Sequence, residues 1–187
     1  NMAVTTLDAK TALIVIDLQH GIVALPLVHE PQPVIERCAG LAEAFRAHDL
    51  PVVLVNVAGG APGRNEQARH SGELPADWAT LVPAMTPQQN DLTVTKKTWG
   101  AFHATALHDE LQKRGITQVV ICGIATSIGV ESTARQAYEL GYNVTLATDA
   151  MTDLNLDTHN NSVNLIFPRL GETGSCEDIK AQLNSRA

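Results

Sequence analysis

The sequence predicts a three-layer α/β/α domain on a doubly wound, mostly parallel sheet, and three observations carry that expectation. Short, continuously apolar runs rich in Val and Ile read as strands buried on both faces, as parallel sheets require. Helical apolar patterns fall between those runs, and strands alternating with helices close right-handed crossovers onto one sheet. The chain has 187 residues, of which 44% are apolar and 4% aromatic. That length supports one core excluding roughly 70% of the unfolded chain's surface, without disulfides or structural metal. It is read as a single domain over residues 1–187, with 1–10 and 185–187 as peripheral tails. Asn1, ahead of Met2, reads as a remnant of expression.

Residues 12–18 (ALIVIDL) give the first strand. Val34, Ile35, Cys38, Leu41, Ala42 and Phe45 recur at helical spacing and give the first helix, followed by a strand over 51–57. Residues 58–90 open with AGGAPG and continue as a polar stretch without periodicity. They read as a long surface excursion, and loops of that length are usually lids or partner contacts. A weaker, alternating strand covers 92–95. Leu107 and Leu111 then mark a helix that stops at Gly115. A strand over 118–122 leads to a helix over 128–140 closed by Gly141, and 143–147 is the next strand. Asp157 is read as the cap of a helix reaching Phe167, and Ser175 with Asp178 as a capping box for the last helix.

Composition excludes several classes of function. With 13 Lys+Arg against 20 Asp+Glu the formal charge is -7, the wrong sign for phosphate backbones or anionic lipid. The longest wholly apolar run, residues 12–16, is far short of the roughly 20 needed to span a bilayer. No charged start leads into a secretory core, so a cytoplasmic location is expected. Cys38, Cys122 and Cys176 show no CxxC spacing, which suggests neither a disulfide framework nor a zinc knuckle. GxGxxG is absent, which leaves a dinucleotide site without support.

In an open parallel sheet, ligands bind beyond the carboxyl ends of the strands, and three features land there. Asp17 closes the first strand. A carboxylate in that position is costly to desolvate unless it is paired or used, so it reads as a helix cap, an ion-pair member or a working acid. Use as a phosphoryl acceptor would want a second acid two residues on, where Gln19 stands. Lys96 and Lys97 close the weak strand; they point in different directions, so at most one can face a site there, and on spacing alone either reads as a solvent-facing lysine. The stretch from Ile121 to Tyr142 is a strand, a glycine-bearing turn and a helix. It reads either as an anion site at a helix start or as close packing at Gly123 and Gly129.

These residues carry a resemblance. TALIVIDLQ, then KxxxxxF from Lys96 to Phe102 leading into HATAL, then GIATSIGVESTARQAYELGYNVTLATDAM are together similar to the isochorismatase-like cysteine hydrolase superfamily, over about residues 11–168. The resemblance implies that superfamily's single α/β domain, assembled as a homodimer or larger homo-oligomer and acting on a small molecule. It also implies an Asp–Lys–Cys trio, whose acid falls on Asp17 and whose lysine falls on Lys96, since only Lys96 lies six before Phe102. A non-proline cis peptide in the turn would fall at Ile124–Ala125. Where the pattern GxxTxxCVE has its nucleophilic cysteine, this chain has Gly129. Without a thiolate, the covalent acyl route of the related amidases has no attacking atom. Cys122 sits in a buried strand, and Ser127 and Ser132 have no histidine placed by sequence to activate them. Metal is not expected either: the loop corresponding to the nicotinamidase ligands offers only His70. Asp157 and His159 form a DxH in another part of the chain, and His20, His29, His48, His103 and His108 share no ligand spacing.

Isochorismatase itself carries glycine at the nucleophile position, and vinyl-ether hydrolysis needs an acid rather than a nucleophile. The resemblance therefore points to Asp17 as general acid and to Lys96 as the group that holds a substrate carboxylate or steadies the conjugate base. The N–H groups of Ile128 and Gly129 would take an oxyanion. Ala125, Phe102 and Trp99 would line the site, and Arg64 or Arg69 would add a carboxylate contact. No cofactor is implied. Two alternatives stand beside this reading: a catalytically silent, small-ligand-binding homo-oligomer, and an amidase-type hydrolase with an unidentified nucleophile.

Overall fold

The computed structural model describes residues 4–67 and 72–186. Six strands, β1 (Thr11–Ile16), β2 (Val52–Val57), β3 (Leu92–Lys96), β4 (Gln118–Ile124), β5 (Asn143–Thr152) and β6 (Glu172–Gly174), form one parallel sheet in the order β3-β2-β1-β4-β5-β6. The chain builds outward from β1 through β2 to β3, then crosses back to place β4 on the other side of β1. The strand order thus reverses between β1 and β4, and in open α/β sheets ligands bind beyond the carboxyl ends of the strands at such a reversal.

The pleat explains why β1 reads as unbroken apolar sequence. Leu13 and Val15 enter one core, and Ala12, Ile14 and Ile16 the other. The first core is covered by α2 (Pro31–Ala47), through Val34, Cys38, Leu41 and Phe45, and by α7 (Cys176–Asn184), through Ile179 and Leu183. The second is covered by α3 (Leu107–Lys113), α4 (Glu131–Glu139) and α6 (Phe167–Leu170), with Leu111, Ala134, Ala137 and Phe167 inside. A short α1 (His20–Val23) follows β1, and α5 (Leu156–Asn161) follows β5.

Several elements differ from expectation for visible reasons. The α5 cap is Asn155 rather than Asp157: the Asn155 side chain accepts from the N–H groups of Asp157 and Thr158. The helix expected from residue 128 starts two residues earlier, with a π turn over Thr126–Val130. The expected helix up to Phe167 is likewise broken by a π segment, Ser162–Ile166. β5 runs on to Thr152 because its pairing with β4 skips from Ile121↔Leu146 to Gly123↔Met151. The leading segment is not wholly peripheral, since Val4 and Leu7 are buried in the first core. The long excursion returns as a strap: Leu81 bridges Gln19, Trp78 and Thr80 accept from the N–H groups of Gly21 and His20, and Val82 and Met85 are buried.

Candidate active site

Asp17 follows β1 with φ 53, a left-handed conformation unusual for a residue with a side chain. Its N–H donates to Val55 O at 2.9 Å, continuing the β1–β2 pairing by one step. Lys96 ends β3, two strands away, and its Nζ donates to Asp17 Oδ2 at 2.8 Å. Both are enclosed, Asp17 at 4% and Lys96 at 2% exposure. Burial raises the Asp17 carboxyl and the Lys96 ammonium lowers it; burial prevails, and the pKa lies at about 6 against an ordinary 3.8. Asp17 Oδ1 and Thr98 Oγ1 are buried with no hydrogen-bond partner. The pair is therefore an enclosed carboxyl–ammonium contact in which one carboxyl oxygen has no hydrogen-bond partner.

The turn after β4 completes the site. Gly123 has φ 118, and a Cβ there would meet Ile16 O at 2.2 Å, so only glycine lets β4 approach the end of β1 this closely. The Ile124–Ala125 peptide is cis. At Gly129, a Cβ would lie 3.5 Å from Asp17 Oδ2, 3.5 Å from Trp99 O and 2.9 Å from Ile16 Cγ2. The position that the resemblance gives to the nucleophile thus faces Asp17 directly and carries no side chain.

The other candidate residues fall in different places. Trp99 lends its backbone carbonyl to the site while its residue is 60% exposed. The Ile128 N–H, expected to be free for an oxyanion, is already donated to Ala125 O at 3.1 Å, and the Val130 N–H reaches the same oxygen. Phe102 is buried in the second core, stacked on Tyr142, with its N–H on Gln136 Oε1. Arg64 is exposed in the long loop, and Arg69 and His70 lie outside the described residues. Cys122 is buried, and its contact with Cys38 and its burial push its thiol well above the ordinary range, which makes it a poor nucleophile. Ser127 and Ser132 are partly exposed, and the Ser127 N–H donates to Asp153 Oδ2 at 2.9 Å.

Three residues hold the turn through contacts that the sequence does not signal. Asp153 also accepts from the Leu154 N–H and the Thr158 hydroxyl. Thr126 Oγ1 lies 2.7 Å from His159 Nδ1, although the two are 33 residues apart. The His159 ring stands edge-on to His29 with centroids 5.0 Å apart, and burial, then His29, lower its pKa against the pull of Asp153. These two histidines line a cleft of about 400 Å³ with Arg37, Asp149 and Met151, beside the carboxyl half of β5. Among the described residues, no three His, Cys, Asp or Glu side chains are grouped to hold a metal ion.

A buried carboxyl–ammonium pair thus stands at the topological switch point of a doubly wound α/β sheet, the place where such sheets bind ligands. Residues 11–178 match the isochorismatase domain, and the chain belongs to the isochorismatase family of hydrolases. It is 45% identical over 181 residues to the isochorismatase family protein YwoC of Bacillus subtilis (strain 168), covering 93% of this chain and 94% of that protein. It is 32% identical over 173 residues to the ureidoacrylate amidohydrolase RutB of Methylobacterium radiotolerans, covering 76% of this chain and 67% of that enzyme. Among solved structures, an isochorismatase family protein from Burkholderia thailandensis superposes with a TM-score of 0.91 at 41% identity, over 96% of this chain and 98% of that one. No helix among the described residues is long and apolar enough to cross a membrane.

Proposed function

We propose that this hydrolase cleaves the enol-ether bond of a small carboxylated metabolite by general-acid catalysis from Asp17, without a covalent enzyme intermediate. One observation carries the reading: an enclosed carboxyl held at about 6 by burial stands beside Gly129, where no side chain offers an attacking atom. A carboxyl with that pKa retains a proton in part of its population near neutrality, which suits it to the slow step, proton transfer to the terminal alkene carbon. Oδ1, the unpartnered oxygen, is the one free to deliver the proton.

The alkene electron pair takes that proton and leaves an oxocarbenium at the ether carbon. Water adds there and returns a proton to Asp17, and the hemiketal breaks to an alcohol and a keto acid. Lys96 Nζ, at 2.8 Å, stabilises the Asp17 carboxylate while it is deprotonated. We also read the chain as a homo-oligomer. Leu25, Val28, Leu154 and Leu156 are exposed on neighbouring segments, joined by the bond from the Val28 N–H to Asp153 O.

Isochorismate is the first substrate to try, with pyruvate release as the readout. Asp17→Asn is expected to lower turnover by about 10²- to 10⁴-fold. No pyruvate from isochorismate, together with activity on any other substrate found that survives Asp17→Asn, overturns the proposal. The near-complete enclosure of the pair favours one second reading, a silent ligand-binding protein. That reading predicts thermal stabilisation by small carboxylated ligands with no turnover.

A further inference from the structure

Gln19, two residues after Asp17, is 0% exposed, and its side chain makes three hydrogen bonds to backbone. Oε1 accepts from Val57 N at 2.8 Å while Nε2 donates to Val57 O at 2.9 Å, so the carboxamide pairs with the end of β2 as a neighbouring strand would. Nε2 also donates to Trp78 O at 3.3 Å, on the returning strap. Its backbone is equally engaged: the Gln19 N–H donates to Asp17 O at 2.9 Å, which closes the left-handed turn that presents Asp17.

Val57 is the register neighbour of Lys96 in the β2–β3 pairing, and the Ala58 N–H donates to Lys96 O at 2.8 Å. One buried amide therefore joins the turn carrying Asp17, the end of β2 whose partner is Lys96, and the strap that covers both. We infer that Gln19 is a positioning residue for the Asp17–Lys96 pair, setting the separation of the two groups by tying their backbones to one carboxamide. The chemistry asks for this residue type: a primary amide offers an acceptor and two donors within one plane, and the three backbone groups it meets are one N–H and two carbonyls. A carboxylate of the same shape would set a second oxygen against two carbonyl oxygens.

This inference rests on the Asp17–Lys96 reading of the site, and its test needs no substrate. Gln19→Met keeps the volume and removes all three bonds. In the folded variant, the ¹³C-detected titration midpoint of Asp17 should move by more than about half a pH unit. Amine-reactive labelling of Lys96, read by mass spectrometry, should become at least about tenfold faster. Asn56→Ala is the control, because Asn56 Nδ2 holds the strap at Ala79 O and its Oδ1 accepts from the Thr95 hydroxyl on β3, so it ties strap to sheet without a bond to the Asp17 turn. It should leave both values at wild type.

Unchanged midpoint and labelling in Gln19→Met would overturn the inference, as would equal changes in Asn56→Ala. Should Gln19→Met fail to fold, Gln19→Glu, which keeps the acceptor for Val57 N, carries the same expectation, and wild-type values there overturn it. Turnover that survives Asp17→Asn would remove the functional reading while leaving these two readouts to decide on Gln19.

Discussion

The balance at Asp17 can be measured as stability. Folded, the carboxyl keeps its proton to about pH 6; unfolded, it releases it near 3.8. Between those values the folded state binds more protons, so this group makes the protein less stable as pH rises. The separation corresponds to about 3 kcal/mol, developed between about pH 4 and about pH 7. Glu110, whose carboxyl Arg114 and Lys113 hold below its ordinary value, pulls the opposite way, so the contribution of Asp17 must be isolated by difference. Asp17→Asn alone would leave Lys96 buried without a counter-charge, and Lys96 would then add a pH dependence of its own. The double variant Asp17→Asn/Lys96→Met removes both charges.

Urea unfolding of wild type and double variant across that range should therefore give a difference that moves against the wild type by about 3 kcal/mol. That is roughly 6–12 °C in Tm for a domain of this size. The ¹³C shift of the Asp17 carboxyl gives the midpoint directly. A difference flat to within about 1 kcal/mol, or one that favours the wild type as pH rises, would mean that burial does not prevail over Lys96. Asp17 would then be an ordinary ion-pair carboxylate with no proton to give near neutrality.

Gly129→Cys should set a thiol beside Asp17 and Lys96 that iodoacetamide alkylates faster than a free cysteine, at a stability cost of about 1 kcal/mol or more, because the new Cβ stands 2.9 Å from Ile16 Cγ2 and that methyl must move. Alkylation no faster than that of a free thiol would show the position to be misaligned with the pair. The three native cysteines are all buried; under native conditions an aromatic disulfide reagent should titrate none of them, and after unfolding all three, whereas fast native reaction at Cys122 would reopen it as a nucleophile.

The sheet was legible in the sequence because a strand covered on both faces leaves no polar alternation: TALIVI enters two cores at once. The same physics hides β6. Its three residues, ETG, lie at the sheet edge, partly exposed, and are held from outside by Thr5 on the Glu172 carboxylate. The far end of β5 was hidden by ATDA, where the chain leaves its pairing with β4, meets β6 at Ala147↔Gly174, and rejoins β4 at Met151. The α5 cap was ambiguous because Asn155 and Asp157 are both good capping residues, and only the backbone at Asn155 is extended. Asp17 and Lys96 could be placed at strand ends separately. Their contact spans 79 residues and depends on β2 lying between β3 and β1, which no local pattern encodes. The bonds from Asp153 and His159 to the turn are long-range in the same sense, and the engaged N–H of Ile128 follows from a π turn that the helical spacing did not signal.

What the pair costs bears on what it is for. Taking two charges out of water commonly outweighs their attraction, and apolar replacements of buried ion pairs are often neutral or stabilising. Here the imbalance is visible at one atom: Asp17 is pushed upward although an ammonium sits 2.8 Å away. A pair kept for stability would be arranged the other way, with every oxygen bonded and the carboxylate lowered. Instead Oδ1 is buried without a partner, the backbone beneath it is left-handed, and the adjacent position 129 carries no side chain. Of these, the unpartnered Oδ1 raises the energy of the site and would be relieved by a hydrogen-bond donor, and a carboxyl raised against a neighbouring cation is a shift of the kind that clusters at functional sites. Above about pH 6 the double variant should accordingly be at least as stable as the wild type.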